Sequence, residues 1–201
     1  MRTWFELLAW AMLVPVLVPI AMLSIECIVA LFPRRRQSPG AASFEGRLAV
    51  AVPAHNEQDV LRMSLESIRR QLAGDDRLVV VADNCNDRTA SIARQFGAEV
   101  IERNDKDRLG KGFAMDFARR HLAQDPPDVV VFVDADCELD DGALRVLAST
   151  ANAAQRPVQA AYTMNSPRDA TTLSRISAFA FNVKNLVRPL GLSRLGGPCL
   201  L

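Results

Sequence analysis

Two periodicities divide the chain. Residues 7–25, LLAWAMLVPVLVPIAMLSI, form one apolar run without charge, bracketed by Glu6 and Glu26. After a short polar stretch the pattern changes to brief β-branched or alanine-rich runs. These alternate with segments whose apolar residues recur every three or four positions. RLAVAVP (47–53) and RLVVVA (77–82) read as buried strands, AEVIE (98–102) as a shorter one, and DVVVFVD (128–134) as a fourth that looks buried throughout. Between them, 59–72 carries Val60, Leu61, Leu65, Ile68 and Leu72 close to helical spacing. A short helix is expected over 89–96 with Thr89 as its cap, and longer ones over 111–122 and 142–154. PVQAAYTM (157–164) predicts a further strand, and 171–187 a longer helix with its apolar positions on one face.

The first run has the length of a membrane span, since about 20 apolar residues at 1.5 Å rise cross a hydrocarbon core of roughly 30 Å. A signal peptide has a shorter apolar core, about 7–15 residues, and ends in small residues. This run is longer and leads into Phe32-Pro33-Arg34-Arg35-Arg36. A buried core helix would carry a polar face, which the run lacks. Pro15 and Pro19 kink the helix, a defect tolerated better in a membrane than in water. The expected organisation is an anchor over 1–33 with its transmembrane helix at about 7–26, a Ser-, Pro-, Gly- and Ala-rich linker over 34–46, and one domain over 47–201. The arginine triplet keeps everything after it in the cytoplasm, and Trp4 and Trp10 suit the opposite interface. The expected location is a membrane, taken as the bacterial inner membrane.

Strands alternating with helices imply an α/β domain built on a mostly parallel sheet flanked by helices. Composition excludes some functions. Charged residues are 23% of the chain and the net charge is +1, so the basic surplus of a nucleic-acid binder is missing. Cys27, Cys85, Cys137 and Cys199 are far apart with no C-x-x-C pair, which argues against zinc and a disulfide framework and for reduced thiols.

In open parallel sheets, ligands bind outside the carboxyl ends of the strands. That rule gathers three polar clusters: Pro53-Ala54-His55-Asn56-Glu57, then Asp83-Asn84-Cys85-Asn86-Asp87, then Asp134-Ala135-Asp136. Carboxylates crowded there, with Glu138, Asp140 and Asp141 following, repel one another unless solvated or paired with a cation. Mg²⁺ or Mn²⁺ is held by one or two such groups while phosphates complete its shell. A calcium EF-hand is excluded, because its sixth and twelfth positions would be Leu139 and Arg145. No phosphate-binding G-x-x-x-x-G-K-[ST] occurs, and Gly110-Lys111-Gly112 falls short of G-x-G-x-x-G. Lys111 opens a helix at the same rim, a natural phosphate or ribose contact. His55 reads as a loop-positioning residue rather than a base.

VAVPAHNEQDVLRMSLESI, VVVADNCNDRTASIA, ERNDKDRLGKGFAMDFA and VVFVDADCELDDGAL, in this order and at these intervals, resemble family 2 glycosyltransferases of the GT-A (Rossmann-like) fold. The resemblance spans 48 to about 162 and continues faintly beyond. It implies a nucleotide-diphosphate sugar as donor, a UDP-sugar being expected, and transfer with inversion to a polysaccharide or lipid acceptor. By position, Pro53, Ala54, Asn56 and Glu57 would line the nucleotide pocket, with Glu57 near the base or ribose. Asp83 would accept a hydrogen bond from the uracil ring. The family often has two adjacent aspartates there, and this chain has Ala82-Asp83, which leaves base selectivity open. Lys111 and Gly112 match the G-K-G segment, Asp134 would touch ribose or sugar, and Asp136 would ligate the metal bridging the diphosphate.

Inversion also needs a base to take the acceptor's proton. The E-D pair and Q-x-x-R-W-type segment that the family places beyond its D-x-D do not occur, so the catalytic base is unassigned. After Asp141 the only carboxylate is Asp169, which reads as a helix cap. The chain closes on apolar Cys199-Leu200-Leu201, which look like the start of another strand. The expectation is a donor-binding half of a longer enzyme. The alternative is a short, non-catalytic nucleotide-sugar binder.

Overall fold

β1 (Leu48–Ala54), β2 (Arg77–Asp83), β3 (Glu99–Arg103) and β4 (Val129–Phe132) form one sheet in the order β3-β2-β1-β4. All pairings are parallel, with Ala49 opposite both Arg77 and Val130. The computed structural model describes residues 2–32, 44–167 and 169–196. Most of the expected 34–46 linker lies outside those residues. Two units are distinguished, one of 38–155 and one of 1–37 with 156–201.

In the first unit, parallel pairing requires crossover helices, and the hydrophobic periodicity supplies them. α2 (Leu61–Arg69) buries Leu61, Leu65 and Ile68 completely on Val50, Val52 and Val80. Each such side chain contributes about 1.5–3 kcal/mol by leaving water. α3 (Thr89–Gln95) and α5 (Ala143–Ala154) join that face through Ile92, Ala93, Leu144 and Ala148. α4 (Lys111–Leu122) covers the other face, packing Ala114, Ala118 and Leu122 on Ala49, Ala51, Val79 and Val81. Small alanines on both surfaces let that helix approach closely. β1, between two strands and two helix layers, is buried along almost its whole length.

β4 departs from expectation. It is not buried throughout: Val130 and Phe132 are exposed, while Val129 and Val131 pack into the core. Ladder register explains this. Val130 and Phe132 continue the face of Ala49 and Ala51, and α4 lies over β1 and β2 rather than over the edge strand. Thr89 is a second correction. The N-terminus of α3 is capped by Asp87, whose Oδ1 accepts the Thr89 N–H at 2.9 Å. Thr89 Oγ1 instead receives the Glu57 N–H at 2.9 Å.

In the second unit, α1 (Arg2–Leu31) is continuous through Pro15 and Pro19. Its Thr3–Leu31 portion contains an 18-residue stretch of mean hydropathy 2.3 and is long and apolar enough to cross a membrane. The expected strand over 157–164 is reduced to a single β-bridge residue, Val158, and the stretch is otherwise irregular and mostly exposed. No neighbouring strand satisfies Met164; the Asn182 side chain does, accepting its N–H at 2.7 Å and donating to its carbonyl at 3.2 Å. α6 (Thr172–Asn182) is capped by Thr171, not Asp169, through a 3.2 Å bond from the Ser174 N–H. The helix does not stop near 187. A π-helical stretch (Val183–Val187) leads directly into α7 (Arg188–Arg194), and the widened turn lies just before Pro189, which has no N–H to donate to it. α7 lies against the last turns of α1, where a Cβ on Gly191 would sit 2.2 Å from the Glu26 carbonyl oxygen.

Candidate functional site

Sheet order reverses between β1 and β4, because β2 and β3 extend one way from β1 and β4 the other. Such a switch point opens a crevice at the carboxyl ends of the strands. A cleft of about 470 Å³ lies there. Pro53, Ala54, His55 and Glu57 line it from β1, Asp83 and Asn84 from β2, and Asp134, Ala135 and Asp136 from the end of β4. Leu109, Gly110, Lys111 and Ala114 complete it from the start of α4.

Side chains, more than backbone ladders, fasten the loops around this cleft. His55 Nδ1 donates to the Asp83 carbonyl at 2.6 Å, which fixes the proton on Nδ1 and ties the first loop to the second. Asn56 and Asn84 both adopt left-handed backbone, at φ 55° and 51°, a conformation asparagine tolerates better than most residues. Each uses its amide across the rim. Asn56 Oδ1 accepts the Asn86 N–H at 2.9 Å. Asn84 accepts from the Asp105 N–H at 2.9 Å and donates to its carbonyl at 3.1 Å. Asp87 receives the Gln58 N–H at 3.2 Å as well as that of Thr89. Burial works to raise the Asp87 carboxyl, but its bonds from the Thr89 hydroxyl and these N–H groups win and hold it below the ordinary value. Burial also pushes the Cys85 thiol up.

Asp83 does not stand alone at the end of β2. Its register partner is Arg103, the last residue of β3. The guanidinium donates to Asp83 Oδ1 at 2.6 Å, and each side chain is 8% exposed. Arg103 also donates to Asp105 at 3.1 Å and to the Arg108 carbonyl at 2.6 Å, and lies 5.6 Å from the Phe113 ring centre. Asn84 Nδ2 adds a 3.0 Å bond to the same Asp83 oxygen. Among the described residues nothing donates to Oδ2. Asp105 behaves like Asp87: burial raises its carboxyl, and the Arg108 and Asp107 N–H groups with both arginines outweigh that and lower it.

The D-x-D carboxylates divide between two environments. Asp134 is paired with Lys111, the first residue of α4, through its Oδ1. The pair is half-open, with side-chain exposures of 52% and 37%, so it is worth about 0–1 kcal/mol and exchanges readily for a ligand. Asp136 is exposed and touches only the Cys137 thiol, at 3.6 Å, among the described residues. Ligand atoms of Asp134, Asp136 and Cys137 lie within 4.8 Å of one another. Two oxygen donors and one soft thiol, with an ammonium already on one carboxylate, make a poor closed cage. The two carboxylates are donors of the kind a hard cation takes, and Asp136 is the one left open to it.

Of the residues singled out from sequence, Pro53, Ala54, Glu57, Asp83, Lys111, Asp134 and Asp136 come together in the cleft. Asn56 fastens the rim instead, and Gly112 lies behind it in the first turn of α4. Glu138, Asp140 and Asp141 are exposed and do not line the cleft. Asn84 belongs to the second polar cluster read from the sequence; Arg103 and Leu109 were not singled out. Arg103 had one signal, its place at the end of a strand two elements after Asp83; Leu109 had none, being one more loop leucine.

A sequence profile described as Glycosyl transferase family 2 matches residues 49–194. The 4,4'-diaponeurosporenoate glycosyltransferase of Staphylococcus haemolyticus is 32% identical over 114 residues, covering 55% of this chain and 28% of that protein. Glycosyltransferase AglD of Haloferax volcanii is 30% identical over 116 residues, 54% of this chain and 18% of its own length. The chain thus spans less than a third of these relatives. Among solved structures, TarS 1–349 of S. aureus superposes with a TM-score of 0.50 at 21% identity, covering 63% of this chain and 39% of that one. That likeness is one of fold, and the fold is GT-A.

Proposed function

The chain belongs to glycosyl transferase family 2, and from that premise we propose that its cleft binds a nucleotide-diphosphate sugar, a UDP-sugar first, for inverting transfer to a polysaccharide or lipid acceptor. The observation that carries this is the meeting of Glu57, Asp83, Lys111, Asp134 and Asp136 in one crevice at the sheet's switch point. Pro53, Ala54 and Glu57 frame the base and ribose. Asp83, turned by Arg103 and Asn84 on one oxygen, offers the other to a ring N–H of the base. The Lys111 ammonium exchanges Asp134 for diphosphate oxygens, and Asp134 is released to a ribose or sugar hydroxyl. Asp136 would hold a divalent cation, Mg²⁺ or Mn²⁺, whose positive charge would stabilise the departing diphosphate. In the transfer itself the acceptor oxygen bonds to the anomeric carbon as that carbon's bond to the diphosphate breaks. The acceptor's proton passes to a base that none of these residues supplies.

α1 anchors the protein in a membrane, and the arginines at 34–36 keep the donor cleft on the cytoplasmic side. Asp136→Ala tests the site. Titration of the full chain with UDP and Mn²⁺ should lose its metal-dependent component in the variant, and unchanged affinity would sink the assignment.

A further inference from the structure

Donor binding leaves α6, the π-helical stretch and α7 without a role, and their surface is unusual. Ala178 is the buried position of α6, at 6% exposure. On the opposite side of the helix Leu173, Ile176 and Phe179 are 74%, 59% and 69% exposed. They follow one another at i, i+3 and i+6, a continuous apolar stripe rather than scattered residues. Charge along this segment has one sign only. From Thr171 to Gly196 the chain carries Arg175, Lys184, Arg188 and Arg194 and no Asp or Glu.

The depth of this helix is set by α1. Arg188 Nε donates to Glu26 Oε2 at 2.7 Å, and Arg194 Nη1 donates to the Val29 carbonyl at 2.7 Å. Gly191 touches the Glu26 backbone so closely that no side chain fits between. The uncharged run of α1 over 7–25 is the part long enough to fill the hydrocarbon. Residues 26–29, which α7 grips, therefore lie where acyl chains give way to headgroups.

We propose that α6 to α7 is an in-plane helix seated on an anionic lipid surface. Leu173, Ile176 and Phe179 enter the acyl region; Arg188 and Arg194 stay on α1, and the exposed Lys184 faces lipid phosphates, with the one-signed charge of the segment adding its attraction to an anionic surface. Helices of this kind lie with their apolar face about 5–10 Å into the headgroup boundary. Contact with a second copy through the same stripe is disfavoured, because it would bring the same basic residues against themselves. This placement rests on α1 spanning the membrane, as proposed above.

The test uses the full chain with Trp4→Phe and Trp10→Phe, so that one added indole reports. Phe179→Trp and Ile176→Trp probe the stripe independently, and Ser174→Trp probes the other side of the helix. Each protein is reconstituted into phosphatidylcholine vesicles with increasing phosphatidylglycerol, with and without brominated acyl chains. The indole at 179 or 176 should emit to the blue, lose most of its emission to brominated chains and resist iodide. The effect should grow with phosphatidylglycerol and shrink with salt, and the indole at 174 should do none of this. Equal iodide quenching at 179, 176 and 174 would overturn the proposal. So would protection from iodide without bromine quenching, which would mean that protein covers the stripe. Flotation of the same vesicles after an alkaline wash reads α1 separately. A chain that floats with position 179 in water loses only the in-plane helix; a chain that fails to float loses the span and this inference together.

Discussion

Replacing Arg103 by methionine should unfold the donor-binding unit far more readily than removing the lysine of the cleft. Asp83 and Arg103 are neighbours in the β2–β3 ladder, and each is 8% exposed. Methionine keeps much of the apolar stem but leaves the Asp83 carboxylate buried with only the Asn84 amide as donor. Breaking a buried pair from one side costs about 3–5 kcal/mol, because the remaining charge is uncompensated. The bonds from Arg103 to Asp105 and to the Arg108 carbonyl are lost as well. Lys111→Met removes an ion pair too, but one whose members are 52% and 37% exposed, so its cost should stay below about 1 kcal/mol.

Urea unfolding of the full chain in detergent micelles, followed by far-ultraviolet circular dichroism, reads the difference. Both tryptophans are in α1, so intrinsic fluorescence does not report on the sheet. With a urea slope of about 1–3 kcal/mol per molar, Arg103→Met should lower the midpoint by on the order of 2 M and Lys111→Met by a few tenths. The double variant Asp83→Leu/Arg103→Met supplies a second check. Exchanging both charges for apolar groups should restore much of what the single change removes. A midpoint for Arg103→Met no lower than that of Lys111→Met would refute the assignment of a buried, obligatory pair. A double variant weaker than the single one would refute the account of its cause.

Three further outcomes follow from the same contacts. Asp87 and Glu99 both sit below the ordinary carboxylate value, burial being outweighed by hydrogen bonds at Asp87 and by Arg77 and His121 at Glu99. Their stabilisation is therefore complete above an unfolded value of about 4 and is lost as pH falls through the lower folded values; Asp87→Asn with Glu99→Gln should flatten the urea midpoint between about pH 2 and 5, and an unaltered slope would count against it. Cys85, pushed up by burial, should alkylate more slowly than a free thiol when followed by mass spectrometry at mildly alkaline pH, and a rate equal to that of glutathione would contradict this. Gly191→Ala places a methyl 2.2 Å from the Glu26 carbonyl oxygen, so α7 must move off α1 at a cost of about 1–3 kcal/mol, read as a lower melting temperature in detergent; an unchanged melting temperature would show that α7 does not pack there.

What the chain discloses by pattern and what it withholds differ in range. Strands β1 to β4 and the helices between them are legible because each depends on residues within a turn or a few rungs of one another. The strand expected over 157–164 failed for the converse reason. Its composition suits a strand, but a ladder needs a neighbour, and Asn182 satisfies Met164 in its place. Loop fastenings are longer-range still. Thr89 has the chemistry of a cap, yet Asp87 already caps α3, which frees the threonine hydroxyl for Glu57 across 32 residues. Asp83 was legible as a strand-end carboxylate, but its orientation depends on Arg103, brought beside it by parallel register rather than by proximity in the chain.

The two aspartates of Asp134-Ala135-Asp136 carry this distinction into the chemistry. In sequence they are equivalent carboxylates two positions apart. In the fold Lys111, 23 residues earlier, is delivered to Asp134 by the first turn of α4, and Asp136 is left open to solvent beside a weak thiol donor. One carboxylate is thus already neutralised, and the other remains available for a cation. On the proposed function, a diphosphate entering between them would take the lysine from the first, while the second would hold a divalent cation. Asp134→Asn should therefore free Lys111 and leave metal-dependent nucleotide binding largely in place, while Asp136→Asn should remove it, a contrast that equivalent carboxylates would not show.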